Sequence, residues 1–169
     1  NSVQADGALQ GSAVQVVGNQ GSARGAGRDG LANSVRAQGR GRMAGSNVTV
    51  TANQGNAQQG VANSVDVAGT LQGGSITILG NQGSARDGGT VNSVVGNGRI
   101  SGGQITIVGN TGSAYAGLAN SVRADGNVTA SNITILGNQA SVQGEGSKVN
   151  SVSGSGSIRG SQILIAGNT

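Results

Sequence analysis

Gly74-Ser75-Ile76-Thr77-Ile78-Leu79-Gly80-Asn81-Gln82-Gly83-Ser84-Ala85 is the stretch that decides the fold. Ile76 and Ile78 alternate with Thr77, the period-two signature of a strand with one buried face. Gly80-Asn81 then supplies residues that tolerate the backbone angles of a tight bend, and Gly83-Ser84-Ala85 begins a second, small-residue extended piece. Copies of this unit run from one end of the chain to the other: Ala13-Val14-Gln15-Val16-Val17-Gly18-Asn19, Asn47-Val48-Thr49-Val50-Thr51-Ala52-Asn53, Gln104-Ile105-Thr106-Ile107-Val108-Gly109-Asn110, Asn132-Ile133-Thr134-Ile135-Leu136-Gly137-Asn138 and Gln162-Ile163-Leu164-Ile165-Ala166-Gly167-Asn168.

The bend asparagines Asn19, Asn53, Asn81, Asn110, Asn138 and Asn168 are separated by 34, 28, 29, 28 and 30 residues. An Asn-Ser-Val marker beginning at 1, 33, 63, 92, 120 and 150 recurs at 32, 30, 29, 28 and 30. Two independent markers share one period, so the repeat dictates the fold. The chain is expected to be all-β and a single domain over residues 1–169, a β-solenoid of stacked β-arch coils with about six repeats of ~29 residues and one coil per repeat. At a strand spacing of about 4.8 Å each side chain lies over its equivalent in the next coil, so apolar columns merge into a core and the bend asparagines can form an amide ladder.

Each repeat reads as three extended pieces. Asn-Ser-Val-x-Ala comes first, as in Asn120-Ser121-Val122-Arg123-Ala124. A second piece starts at a lone apolar residue (Leu9, Met43, Leu71, Ile100, Val128, Ile158) and runs through Ile-Thr-Ile, and a third carries Ala23, Ala57, Ala85, Ala114 and Val142. A last apolar column is read as Leu31, Val61, Val91, Leu118 and Val149. Length changes fall in the bends, with the extra residues of the second repeat around Arg40-Gly41-Arg42.

The composition suits stacking better than an ordinary core: 34 glycines, no proline, cysteine, histidine, tryptophan or phenylalanine, and one tyrosine, Tyr115. Val and Ile fall in fixed columns, which separates the chain from a disordered polar segment of similar polarity. No apolar run is long enough to span a membrane. The start on a repeat, without Met, reads as a processed or trimmed secreted product, hence an extracellular or cell-surface location, most simply bacterial.

Without His or Cys the sequence offers neither imidazole nor thiolate for catalysis, nor the ligands of Zn or Cu sites. Asp6, Asp29, Asp66, Asp87, Asp125 and Glu145 are scattered singly along the chain, so no paired carboxylates are evident and each acid reads as a solvated loop charge. Arg86-Asp87-Gly88-Gly89 has the look of a calcium turn but lacks the repeated Asp of calcium-binding β-rolls. An enzyme is not expected, nor a cofactor or metal. Ten basic residues against six acids give a net charge of +4. They are dispersed and no aromatics interleave with them, so matrix polysaccharide or extracellular DNA would be held only nonspecifically.

The terminal repeats Asn1-Ser2-Val3-Gln4-Ala5 and Gln162-Ile163-Leu164-Ile165 read as ordinary internal copies. Val3, Ala5, Ile163 and Ile165 are therefore candidate stacking ends for a head-to-tail homopolymer. Alternation places Val17, Leu79, Val108 and Leu136 outward beside Thr49, Thr77, Thr106 and Thr134, as candidates for lateral contact. Ser75-Ile76-Thr77-Ile78 followed by Gly80-Asn81-Gln82-Gly83-Ser84-Ala85 resembles the curlin-type repeats of bacterial functional amyloids. Those repeats likewise pair an alternating strand with a Gly-Asn turn and an Ala-bearing strand. The resemblance implies a secreted, self-assembling fibre subunit of a biofilm matrix. The competing expectation is a monomeric solenoid acting through its surface, an adhesin passenger or an ice-binding protein presenting the Thr column.

Overall fold

The computed structural model describes residues 1–24, 30–39 and 41–169. Arg28, Asp29 and Arg40 lie outside the described residues. The chain is a β-solenoid: among the described residues five coils of five strands are followed by three strands of a sixth. Each coil contributes five strands rather than three. In the third coil they are Val65–Val67, Leu71–Gln72, Ser75–Leu79, Gln82–Arg86 and Thr90–Val91. The lone apolar residue, Leu71, belongs to a two-residue strand of its own, because Gly73 and Gly74 both have positive φ and break the piece read as one. The fifth strand is likewise too short to show a period in sequence.

Equivalent strands stack into five parallel sheets, three of six strands and two of five. Register is residue-on-residue throughout: Ile76 pairs with Val48 and Ile105, and Ile78 with Val50 and Ile107. The column read through Val91 and Val149 is off by one residue. Thr90 stands between Val61 and Leu118, and Lys148 continues from Leu118, while Val91 and Val149 stack with Ala32, Ala62 and Ala119. Both residues of this two-residue strand can be apolar, so hydrophobicity alone did not fix which one faces inward.

Two cores result. The first three strands of each coil enclose an aliphatic core that includes Val35, Val65, Val94 and Val122, then Met43, Leu71, Ile100 and Val128, then the paired Ile/Val columns of the third strand. The fourth and fifth strands close on a thinner core built from Ala23, Ala57, Ala85 and Ala114 against Ala32, Ala62, Val91 and Ala119. Small residues are required there by close approach. A β-carbon on Gly83 would run into the Val91 side chain and sit 2.8 Å from the Gly55 carbonyl oxygen. Among the described residues no helix is long and apolar enough to cross a membrane.

Candidate functional site

The seam between the two cores holds the most ordered polar chemistry of the molecule. Each coil turns from its third to its fourth strand at a residue with positive φ, Gly18, Gly80, Gly109, Gly137 and Gly167, with Ala52 taking the same left-handed conformation in the second coil. The asparagine that follows points inward and binds three coils at once. Asn110 donates from Nδ2 to the Ile78 carbonyl in the preceding coil (3.0 Å), to its own-coil Val108 carbonyl (3.1 Å) and to Asn138 Oδ1 in the next coil (2.9 Å). Its Oδ1 accepts from the backbone N–H and Nδ2 of Asn81, at 2.9 and 3.0 Å. The same Nδ2-to-Oδ1 step joins Asn19 to Asn53, Asn53 to Asn81 and Asn138 to Asn168. Asn53, Asn81, Asn110 and Asn138 are buried, so the amides do in the interior what an exposed asparagine would do with water.

A second ladder was not singled out in the sequence. It is made by the asparagine of the Asn-Ser-Val marker, which turns the fifth strand into the first of the next coil. Asn33, Asn63, Asn92, Asn120 and Asn150 all have φ between 43° and 50°, a left-handed corner that Asn tolerates better than other residues with a β-carbon. Asn63 Nδ2 donates to the Gln82 carbonyl (2.8 Å) and to Asn92 Oδ1 (3.1 Å), and Asn92 repeats both bonds to Thr111 and Asn120. The serine beside it forms a third ladder. Ser64 Oγ donates to the Ala62 carbonyl and accepts the N–H of Ser93, whose Oγ accepts the N–H of Ser121. The strict recurrence of Asn-Ser was the signal for both.

The two asparagine ladders share one polarity, and the serine ladder runs the other way. In each asparagine ladder the amide nitrogen donates toward the C-terminal coil and the amide oxygen accepts from the N-terminal one, whereas each serine Oγ accepts the N–H of the serine one coil toward the C-terminus. In the asparagine columns a face looking toward the C-terminus therefore presents donors, and the opposite face presents acceptors. Asn33 Oδ1, the first of its ladder to be buried, has no partner.

The other sequence-derived candidates fall in three places. Val3 and Ala5 stack on Val35 and Ala37, and Ile163 and Ile165 on Ile133 and Ile135, all in inward-facing columns. Val3, Ile163 and Ile165 are 36%, 38% and 46% exposed, where their neighbours Val35, Ile133 and Ile135 are at most 1%. Val17, Leu79 and Leu136 are exposed and Val108 half-buried, so this column faces outward and does not turn back at the glycine bend. Thr49, Thr77, Thr106 and Thr134 lie half-buried on the same face. Tyr115 is exposed.

One charge reading is corrected. Asp66 is not a solvated loop acid: it sits in the first strand, stacked on Arg36. Arg36 Nε donates to Asp66 Oδ2 at 3.0 Å, with the two side chains only 5% and 8% exposed. Arg36 Nη2 and Asp66 Oδ1 remain buried without partners, so removing either residue strands a charge. Arg123 and Asp125 form a second pair at 2.9 Å that is open to solvent.

Fold and seam together define a β-solenoid repeat protein. Comparison with protein-family models, with curated proteins and with solved structures gave no match for this chain.

Proposed function

We propose that this chain is a non-enzymatic structural subunit that assembles by continuing its own stack of coils, as a secreted fibre of a bacterial extracellular matrix or surface appendage. The observation that carries the reading is the single polarity of the asparagine ladders on a residue-on-residue parallel stack. A donor face toward one end and an acceptor face toward the other are complementary to each other and not to themselves. Two copies meeting head-to-tail extend the ladders, while two copies meeting head-to-head set amide oxygen against amide oxygen. Such a contact is heterologous and does not close, so it propagates into a polar filament. Val3, Ala5, Ile163 and Ile165 would enter the apolar columns at that junction. The curlin-like strand-turn-strand unit around Ser75–Ala85 agrees with this reading at the level of architecture. Exposed Val17, Leu79 and Leu136, with half-buried Val108, give each filament an apolar stripe for lateral pairing.

The test is assembly of the purified chain, followed by negative-stain microscopy and by fibre diffraction for an axial repeat of about 4.8 Å. Proline removes a ladder donor. The Val3 N–H donates to the Ser34 carbonyl and the Gln162 N–H to the Ser131 carbonyl within the chain, so alternation turns the N–H groups of Gln4 and Ile163 toward the adjoining copies, and the double variant Gln4→Pro, Ile163→Pro should leave short soluble species. A chain that stays monomeric over a wide concentration range, or filaments untouched by the two prolines, defeats the reading. The second reading, a monomeric adhesin passenger or ice binder, draws on the four consecutive stacked threonines Thr49, Thr77, Thr106 and Thr134. Thermal hysteresis from a monomeric sample would select it.

A further inference from the structure

The outer face of the fourth-strand sheet is hollowed into a trench of about 950 Å³ that runs along the solenoid across five coils. Its walls are two stacked columns. Gln54, Gln82 and Gln139 with Thr111 form one, and Ser84, Ser113 and Ser141 with Asn56 form the other. The floor between them is the backbone of the residue whose side-chain position faces inward in each coil, Gly21, Gly55, Gly83, Gly112 and Ala140, so hydrogen-bonding groups flank a bare backbone.

Three properties of the trench bear on its occupant. Among the described residues no Asp, Glu, Lys or Arg side chain lines it, so it is not built for a polyanion. The carboxamides of Gln54, Gln82 and Gln139 are exposed and make no hydrogen bond to any described group, which leaves paired donors and acceptors at three of the five coils. Four coil spacings of about 4.8 Å give a length of roughly 19 Å, so the volume corresponds to a cross-section of about 50 Å², a channel some 7 Å wide. That is room for one extended chain.

A separate observation points to the same face. Tyr115, the only aromatic residue of the chain, lies on the fourth strand of its coil on the same side as Thr111 and Ser113 and is 53% exposed. It borders a second hollow of about 510 Å³ that shares Ser84, Ser113 and Ser141 with the trench and is also lined by one basic and one acidic residue, Arg86 and Asp87. An exposed ring with an apolar face and a polar tip, beside rows of amides and hydroxyls, is the surface chemistry that sugar rings satisfy by stacking and by hydrogen bonding.

We propose that this trench binds a neutral, extended polysaccharide laid along the solenoid axis, with the glutamine and serine columns hydrogen-bonding successive sugar rings and Tyr115 stacking on one of them. An extended β-linked glycan advances per ring by a distance close to the coil spacing, so one coil can serve one ring. This differs from nonspecific retention by basic residues, and it does not depend on filament assembly.

The experiment titrates cellohexaose into the intact chain, reading heat and Tyr115 fluorescence, which no tryptophan obscures. Binding unchanged between 50 and 500 mM NaCl is expected, and maltohexaose, a coiled glucan, should bind more weakly. The triple variant Gln54→Ala, Gln82→Ala, Gln139→Ala should lose at least tenfold in affinity with its circular dichroism melt unchanged, and Tyr115→Ala should weaken binding. The Gln4→Pro, Ile163→Pro variant, tested separately, should bind as the parent does, so failure of assembly and failure of the trench are told apart. Absence of cellohexaose binding at millimolar concentration, equal affinity in the triple variant, or salt-sensitive retention of alginate or DNA alone would each overturn the proposal. So would a triple variant whose only defect is lost self-association, which would make this face a contact between copies.

Discussion

Asn110→Ala is the substitution that most directly questions the role of the amide ladder. Five hydrogen bonds converge on this side chain, which is 1% exposed. Val108 O keeps the N–H of Gly80, Asn138 Oδ1 keeps that of Asn110 itself, and Asn81 Nδ2 keeps the Val50 carbonyl. The backbone N–H of Asn81, buried with its residue, loses the Oδ1 acceptor it uses in the native chain. One stranded donor at about 1–3 kcal/mol and four other lost bonds at roughly 0.5–1 kcal/mol each give about 5 kcal/mol. For a chain of this size that is a fall in Tm of roughly 10–20 °C. Asn110→Asp adds a sign. It keeps the acceptor for Asn81 but places a second oxygen against Ile78 O, Val108 O and Asn138 Oδ1, where only a protonated carboxyl can donate. Burial and these carbonyls raise the folded-state pKa of the new acid above its unfolded value of about 3.9. Its stability is therefore closest to the parent below that unfolded value, and it falls by about 1.4 kcal/mol per pH unit as the pH rises until the folded pKa is passed. Melts of dilute protein by far-UV circular dichroism at pH 3, 5 and 7, with exposed Gln104→Ala as the control, measure both effects. The reasoning is refuted if Asn110→Ala melts within about two degrees of Gln104→Ala, or if Asn110→Asp follows the parent's pH profile.

Neighbours on one strand should behave oppositely: Ile78→Asp, at a fully buried position, buries an unpaired charge and should abolish a cooperative melt, while Leu79→Asp on the exposed side should fold. Asp66→Ala should cost about 3–5 kcal/mol by stranding Arg36, and the double replacement Arg36→Leu, Asp66→Leu should recover most of it, as chemical denaturation of the three variants will show. Gly83→Val should destabilise by more than about 2 kcal/mol because its side chain has no room beside Val91 and Gly55, whereas Gly7→Ala, with nothing within 4 Å, should change stability by no more than about 0.5 kcal/mol in the same assay. Replacing Leu79, Val108 and Leu136 together by Thr should separate bundled filaments into single ones under the microscope; loss of the filaments themselves would sink the lateral-contact idea.

The long-range architecture was legible because stacking makes every position answer to its equivalents. The Ile76/Ile78 alternation, the Gly-Asn bend and the two spacing markers each reported the same period, and they specified the coil, its register at the third strand and the inward Asn81 ladder. What escaped were features too short to show a period. Thr90-Val91 and Leu71-Gln72 are two-residue strands, and in the first both residues suit a β-strand, so only the neighbouring backbone decides that Val91 and not Thr90 meets the alanines. The second asparagine ladder was visible as a motif but not as chemistry, since the reason for Asn at 33, 63, 92 and 120 is a left-handed corner combined with a buried bond to the next coil. Asp66 was misread because an isolated acid looks solvated along the chain, while its partner Arg36 lies 30 residues away and one coil over.

Because each coil bonds only to the coils on either side of it, the polypeptide is also a spring of unusual reach. Tension applied to its two termini loads the outermost row of inter-coil bonds first, and that row must yield before the next one feels the force. Every coil that peels away converts a rise of about 4.8 Å into some 28–30 residues of slack, which extend to roughly 100 Å. The molecule can therefore lengthen about twentyfold in discrete steps, one coil per step, absorbing work at each and leaving the coils still stacked ready to recapture the strand when the load falls.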